Sequence, residues 1–284
     1  MKDLFKLEPL QEILETMLWT GQVTGEIPIS VILVGPSGVA KSKMICSYKE
    51  PQLHITDNIS SMGIWDIVQG DSKGVLRFIV IPDINPTISR RSSTAQATIA
   101  NLLSLTVDGT VRVDDGRREK KCVHTPMGLI TSCTPEIYEK HARQWFALGL
   151  RRRIIPVFYS YSYTTKISLQ ALVKEGKIHS TPPARVPLNF KSEGGRPIIG
   201  SEEAEQIEKH SATLAFNLGK LSFVENKVKK WQVKEIVPIS PHVTLRTLAM
   251  AHASRRNSAR VQKEDIDFLV QFIEFTDPEK PRLI

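Results

Sequence analysis

The stretch SVILVGPSGVAKSKMICSYKE, residues 30–50, decides how the chain is read. It opens with a short, wholly apolar run, turns through two glycines, and continues in a helix-favouring pattern. Strand, glycine loop and helix in that order form the context in which a phosphate-binding loop works. Successive backbone N–H groups then point into one concavity at the positive end of a helix, where polyphosphate charge is best placed. The loop is GPSGVAKS, residues 35–42. Gly35 and Gly38 let the backbone turn and approach a phosphate closely, and Pro36, Ser37, Val39 and Ala40 complete the cradle. Lys41 is positioned to neutralise the outer phosphates and the Ser42 hydroxyl to ligate Mg²⁺. Ala40 stands where the common G-x-x-x-x-G-K-[ST] pattern has glycine.

Working outward, four further apolar runs follow: LHIT (53–56), RFIVIPD (77–83), GLITSC (128–133) and RIIPVFYSY (153–161). Each is nearly continuous rather than alternating, as expected of strands buried on both faces of a parallel sheet. Helical patterns lie between them, notably TAQATIANLLSLT (94–106), and LEPLQEILETMLWT (7–20) predicts an amphipathic helix ahead of the first strand. Residues 1–165 thus read as an α/β domain. A Pro- and Gly-rich connection follows at 175–201, and the remainder to residue 284 reads as a small all-α domain beginning at 166. Its first helix is expected to use Ser201 as N-cap, with two more helices split near Asn257–Val261.

The 284-residue chain carries a net charge of +8, 41% apolar and 24% charged residues, the composition of a water-soluble globular protein. No apolar run is long enough to span a bilayer and no secretory h-region opens the chain, so a cytoplasmic, non-membrane protein is expected. Cys46, Cys122 and Cys133 lack metal or disulfide spacing, and no pair of the seven histidines suggests a metal site. The basic excess is clustered at 117–121, 151–153, 227–234 and 255–260, which points to a polyanionic partner, DNA above all. DGTVRVDDGRREKKCVH (108–124), with its two Asp-Gly pairs, predicts a β-hairpin. Arg117, Arg118, Lys120 and Lys121 lie at its tip or on its returning strand and are suited to phosphate-backbone contacts with little base readout. Trp231, among lysines, is read as a half-buried packing residue rather than a base-stacking one.

Asp83 ends the third apolar run about forty residues beyond the loop, where an adjacent strand delivers the second Mg²⁺-binding carboxylate. A hydrolytic site usually sets a glutamate beside that aspartate, but Ile84 and Asn85 follow here.

Taken together, these motifs resemble the AAA+ superfamily, and within it the minichromosome-maintenance helicases. GPSGVAKS is similar to that branch's G-D/P-P-G-x-A-K-[ST] loop, in which alanine commonly precedes the lysine. GLITSCTPE resembles the sensor-1 strand, which implies a role near the γ-phosphate for Ser132, beside Thr131. LGLRRRIIPVF lies where the family carries an arginine finger, with Arg151, Arg152 and Arg153 as candidates. PHVTLRTLAMAHASRRNSARVQKEDID is similar to the lid helices, which implies Arg246 as sensor 2 and Ala251-His252-Ala253 as a packing segment. The basic hairpin lies where that branch has one projecting into the channel of a hexamer to grip DNA.

The resemblance implies a P-loop AAA+ αβα sandwich with a parallel sheet, followed by an all-α lid. It also implies ATP and Mg²⁺ as cofactors. Two functions are open: a homo-oligomeric, hexameric ring acting on DNA as an ATP-driven translocase, helicase or loader, or an ATP-controlled assembly switch with little hydrolysis that recruits a protein partner. The missing glutamate favours the switch; the basic clusters favour the motor.

Overall fold

The computed structural model describes residues 6–114, 119–175, 188, 190, 195–225 and 228–284. All five apolar runs are strands: β1 (Ser30–Val34), β2 (Leu53–Ile55), β3 (Phe78–Ile81), β6 (Gly128–Cys133) and β7 (Ile154–Ser160). Together with the two-residue β10 (Arg282–Leu283) they form one six-stranded sheet in the order β10-β7-β1-β6-β3-β2, and its pairings are parallel. The continuous apolar character has a direct cause. Because side chains alternate across a strand, Val31 and Leu33 enter one core while Ile32 and Val34 enter the other.

The first core lies beneath α1 (Glu8–Thr20), α2 (Lys41–Ile45), α8 (Ser201–Gly219), α9 (Ile239–Arg255) and α10 (Lys263–Glu274). The opposite face is covered by α3 (Ser61–Gly70), α5 (Ser92–Asp108) and α6 (Pro135–Ala147), with the one-turn α4 (Asn85–Ile88) beside β3. α7 (Tyr163–Lys174) follows β7. The sheet is therefore flanked by helices on both faces, and α1 and the last helices share one core with it.

The expected hairpin forms from β4 (Thr110–Asp114) and β5 (Glu119–Val123), which pair antiparallel from Thr110↔Val123 to Asp114↔Glu119. Its first Asp-Gly pair does a different job from the one expected. Gly109, at φ +63°, ends α5 in the left-handed conformation, and a Cβ there would lie 1.7 Å from the His124 carbonyl oxygen.

Two further expectations are corrected. The region after residue 166 is not all helical, because β8 (Lys220–Glu225) and β9 (Val228–Val233) form a second antiparallel hairpin. Its lysines, with Lys229 and Lys230 both exposed, made this segment read as a basic run rather than a strand. The N-cap of α8 is Gly200, in extended conformation, and Ser201 is already helical; Glu202 and Glu203 occupy the first turn as the helix dipole favours.

Candidate functional site

β1 delivers the chain to Gly35, whose N–H donates to the Cys133 carbonyl at the end of β6, 3.3 Å away. A Cβ at this position would stand 2.9 Å from the Tyr159 carbonyl, so the packing of β7 against the loop requires glycine. Tyr159 also donates its hydroxyl to the Val39 carbonyl at 3.1 Å, bracing the loop from the β7 side. Gly38 has φ +83°. Ala40 has φ 58° and ψ 20°, the left-handed conformation that glycine adopts without strain. The alanine thus keeps the backbone shape that the commoner glycine would supply.

Lys41 begins α2 and folds back over the loop, donating to the carbonyls of Gly35 at 2.6 Å and Pro36 at 2.7 Å. Ser37, Gly38 and Ser42 remain exposed. The Ser42 hydroxyl donates to the Pro82 carbonyl at 3.2 Å, and the buried Ser132 hydroxyl donates to that same oxygen at 2.6 Å. Asp83 comes immediately after and is exposed, one carboxylate oxygen accepting the Asn85 N–H at 2.9 Å. The strand order explains this meeting. β6 lies between β1 and β3, so the ends of three strands bring Lys41, Ser42, Asp83 and Ser132 to one carboxyl edge of the sheet, the edge at which open α/β sheets bind ligands. Thr131 is buried on β6, and among the described residues its hydroxyl has no hydrogen-bond partner.

Burial lowers the Lys41 ammonium pKa, and Cys133, Asp83 and Glu136 act against that shift. The Cys133 thiol is pushed up to about 12 by burial, so it is a neutral packing group at the loop's edge. Glu136 was not foreseen from sequence. It is exposed in the first turn of α6, and its carboxyl is held below the usual range by the Thr134 hydroxyl, its own backbone N–H and, more weakly, Lys41. The available signal was Thr-Pro-Glu directly after a buried strand, an N-cap followed by first-turn residues.

Other expected residues lie elsewhere. Arg151 is 1% exposed; it donates to the Lys220 carbonyl at 2.6 Å and lies over the Tyr138 ring, 5.5 Å from its centroid. Arg152 and Arg153 are exposed just ahead of β7, which pairs Ile154 with Ser30. They therefore sit at the end of the sheet opposite this chain's own loop. Arg246 is also turned away from the loop: it pairs with Glu26, ahead of β1, at 2.9 Å, and Arg196 binds the same carboxylate. Lys121 is exposed on β5 and Lys120 pairs with Val113 in register, while Arg117 and Arg118 lie outside the described residues. Trp231 is half-buried, with the Lys229 ammonium 4.9 Å above its ring, in the wall of a cavity of about 370 Å³ that reaches Pro36.

For a bound cation the donor set is one hydroxyl and one carboxylate. That is too little for an all-protein cage but matches Mg²⁺, which keeps waters and takes remaining ligands from substrate phosphates. Among the described residues no group of three or more His, Cys, Asp or Glu side chains is arranged to hold a metal. In comparisons with known proteins, no family model matches the chain and no curated protein is significantly similar to it.

Proposed function

We propose that the chain binds Mg²⁺·ATP at the 35–42 loop and acts on DNA as an AAA+-type ATPase assembled in a ring. The observation that carries the nucleotide reading is the hydrogen bond from Ser42 to Pro82, across 40 residues of sequence, which brings a loop hydroxyl next to Asp83. That pair matches the Mg²⁺ ligands of phosphate-loop nucleotidases, and Lys41 supplies the cation for the outer phosphates. The loop's exposed Ser37 and Gly38 leave its mouth open to a ligand. When bound, Mg²⁺ would neutralise charge developing on the phosphates. Lys41 would exchange its contacts with the Gly35 and Pro36 carbonyls for phosphate oxygens.

Ring assembly is favoured by the exposure of Arg152 and Arg153 away from their own loop, as a residue completing a neighbour's site requires. DNA is favoured by the basic β4–β5 hairpin and the net charge of +8. A second function, an ATP-gated scaffold with little turnover, is favoured by Ile84, which stands buried beside Asp83 where a glutamate is usual.

The test combines equilibrium ATP binding, steady-state ATPase rate with and without single- and double-stranded DNA, and particle mass in the same nucleotide. DNA-stimulated turnover in a ring-sized particle supports the motor. Assembly with negligible turnover supports the scaffold. Lys41→Ala should weaken ATP binding by about 100-fold or more, through loss of charge-assisted hydrogen bonds. Unchanged binding would refute the loop assignment.

A further inference from the structure

If ATP is hydrolysed at this loop, some group must orient the attacking water opposite the leaving ADP, and the Asp83 side supplies none. Ile84 is 2% exposed in the core, and its N–H is engaged by the Ser132 carbonyl at 3.0 Å. The side-chain oxygen of Asn85 already accepts from the Ser89 hydroxyl at 2.9 Å.

The strand order directs attention to β6. This strand lies between the loop strand and the aspartate strand and is fastened to both. Cys133 accepts the Gly35 N–H, and Ser132 donates to the Pro82 carbonyl. The chain beyond Cys133 must therefore leave the sheet between the loop and Asp83. Its next residues are Thr134-Pro135-Glu136. Thr134 caps α6 by accepting the Ile137 N–H at 3.5 Å, and Pro135 fixes the first turn. That turn carries Glu136, exposed and close enough to Lys41 for the two charges to act on each other. One turn further on, Glu139 is committed to an ion pair with Lys229.

We infer that the Glu136 carboxylate is the water-orienting group of this site, doing from the neighbouring strand what a glutamate beside Asp83 does elsewhere. The inference rests on the ATP-binding reading of the loop. The Lys41 ammonium and the Glu136 carboxyl feel each other's field, and the forces on Glu136 keep it ionised at neutral pH, as an acceptor of a water proton must be. In the step, the water oxygen bonds to the γ-phosphorus as the bond from that phosphorus to the β–γ bridging oxygen breaks. The bridging oxygen keeps the electron pair and leaves with ADP. The water's proton passes to the Glu136 carboxylate and on to solvent, so the products are ADP, inorganic phosphate and a proton.

The experiment uses the full chain and reads Mg²⁺·ATP affinity, thermal stability and turnover separately. Glu136→Gln should keep ATP affinity and stability close to the parent while turnover falls about 100-fold or more. Glu136→Asp should recover part of the rate, and Glu139→Gln should leave it unchanged. Turnover by Glu136→Gln within about threefold of the parent overturns the inference while leaving the ATP site intact. A parent protein that binds ATP and hydrolyses none also overturns it. Absence of ATP binding by the parent refutes the loop reading itself.

Discussion

Ser42 and Ser132 share one acceptor, the Pro82 carbonyl, which receives their hydroxyls at 3.2 and 2.6 Å. The two serines differ in how far they reach solvent. Ser132 is buried and its bond closes β6 onto β3, whereas Ser42 is exposed at the start of α2. Ser132→Ala should therefore lower stability by about 1 kcal/mol in chemical denaturation, with Mg²⁺·ATP affinity changed little. Ser42→Ala should do the reverse: a smaller stability change, and nucleotide binding that no longer improves when Mg²⁺ is added. Equal stability losses in the two variants would argue against the division of roles.

Ala40 gives a backbone test. An L-residue in the left-handed conformation costs about 1–2 kcal/mol relative to its ordinary conformation, and glycine escapes that cost at the expense of greater freedom in the unfolded chain. Ala40→Gly should therefore leave stability unchanged or raise it by up to about 1 kcal/mol. Ala40→Val, β-branched at the same φ, should lower it by more than about 1 kcal/mol and loosen ATP binding. Thermal melts with and without Mg²⁺·ATP measure both.

The His252 ring supplies the pH dependence. It lies stacked on Phe268, with one ring nitrogen 2.7 Å from the fully buried Asp265 and the other 3.4 Å from Glu12. Burial pulls its pKa down, but the bonds to Asp265 and Glu12 prevail and the net shift is upward. Asp265 is shifted the other way: burial raises it, and His252, Arg256 and the Gln262 N–H together hold it low. A raised histidine contributes stability that is complete below its unfolded pKa, about 6.5, and is lost as pH rises through the folded value. A lowered aspartate contributes stability present above its unfolded value, about 3.9, and lost as pH falls through the folded one. Contributions from both should coincide between about pH 4 and 6.5. Denaturation curves from about pH 6 to 9 should show declining stability, and His252→Gln should flatten that decline. Asp265→Asn, leaving Arg256 and His252 without their shared anion, should cost about 3 kcal/mol.

For the hairpin, replacing Arg117, Arg118, Lys120 and Lys121 by alanine should weaken DNA binding and reduce the slope of log affinity against log salt by about 0.7–0.9 for each phosphate no longer neutralised. Stability should hold, because the apolar support of the hairpin comes from buried Val111 and Val113. Unchanged affinity and slope would remove the hairpin from the DNA-binding surface.

These residues also mark how much could be read from sequence. The five principal strands were legible because burial on both faces leaves continuous runs such as Ser30–Val34, and the loop because its glycines and lysine are local. β8 and β9 were not, since the lysines around Trp231 read as a charge run rather than a strand. Nor could Arg151 be told from Arg152 and Arg153. A tight turn at Leu150–Arg152 buries one arginine and exposes the next, which three identical letters cannot express. Glu136 was hidden for a different reason: its relation to Lys41 depends on β6 entering between β1 and β3, a fact of strand order that no neighbouring residues record.

The pairing of β10 with β7 bears on how copies of this chain can meet. Arg282 and Leu283 run beside Tyr159 and Ser160, and Ile284 exchanges backbone hydrogen bonds with Ser160 and Ser162. The β7 side of the sheet is capped by a two-residue strand, and the far edge is only the three-residue β2. β10 covers only Tyr159 and Ser160 of the seven-residue β7, and β2 is too short to be a long ladder on which strands add from one molecule to the next. In the ring proposed above, contacts through helices, loops and side chains would let a bound ligand make or release them without breaking the sheet.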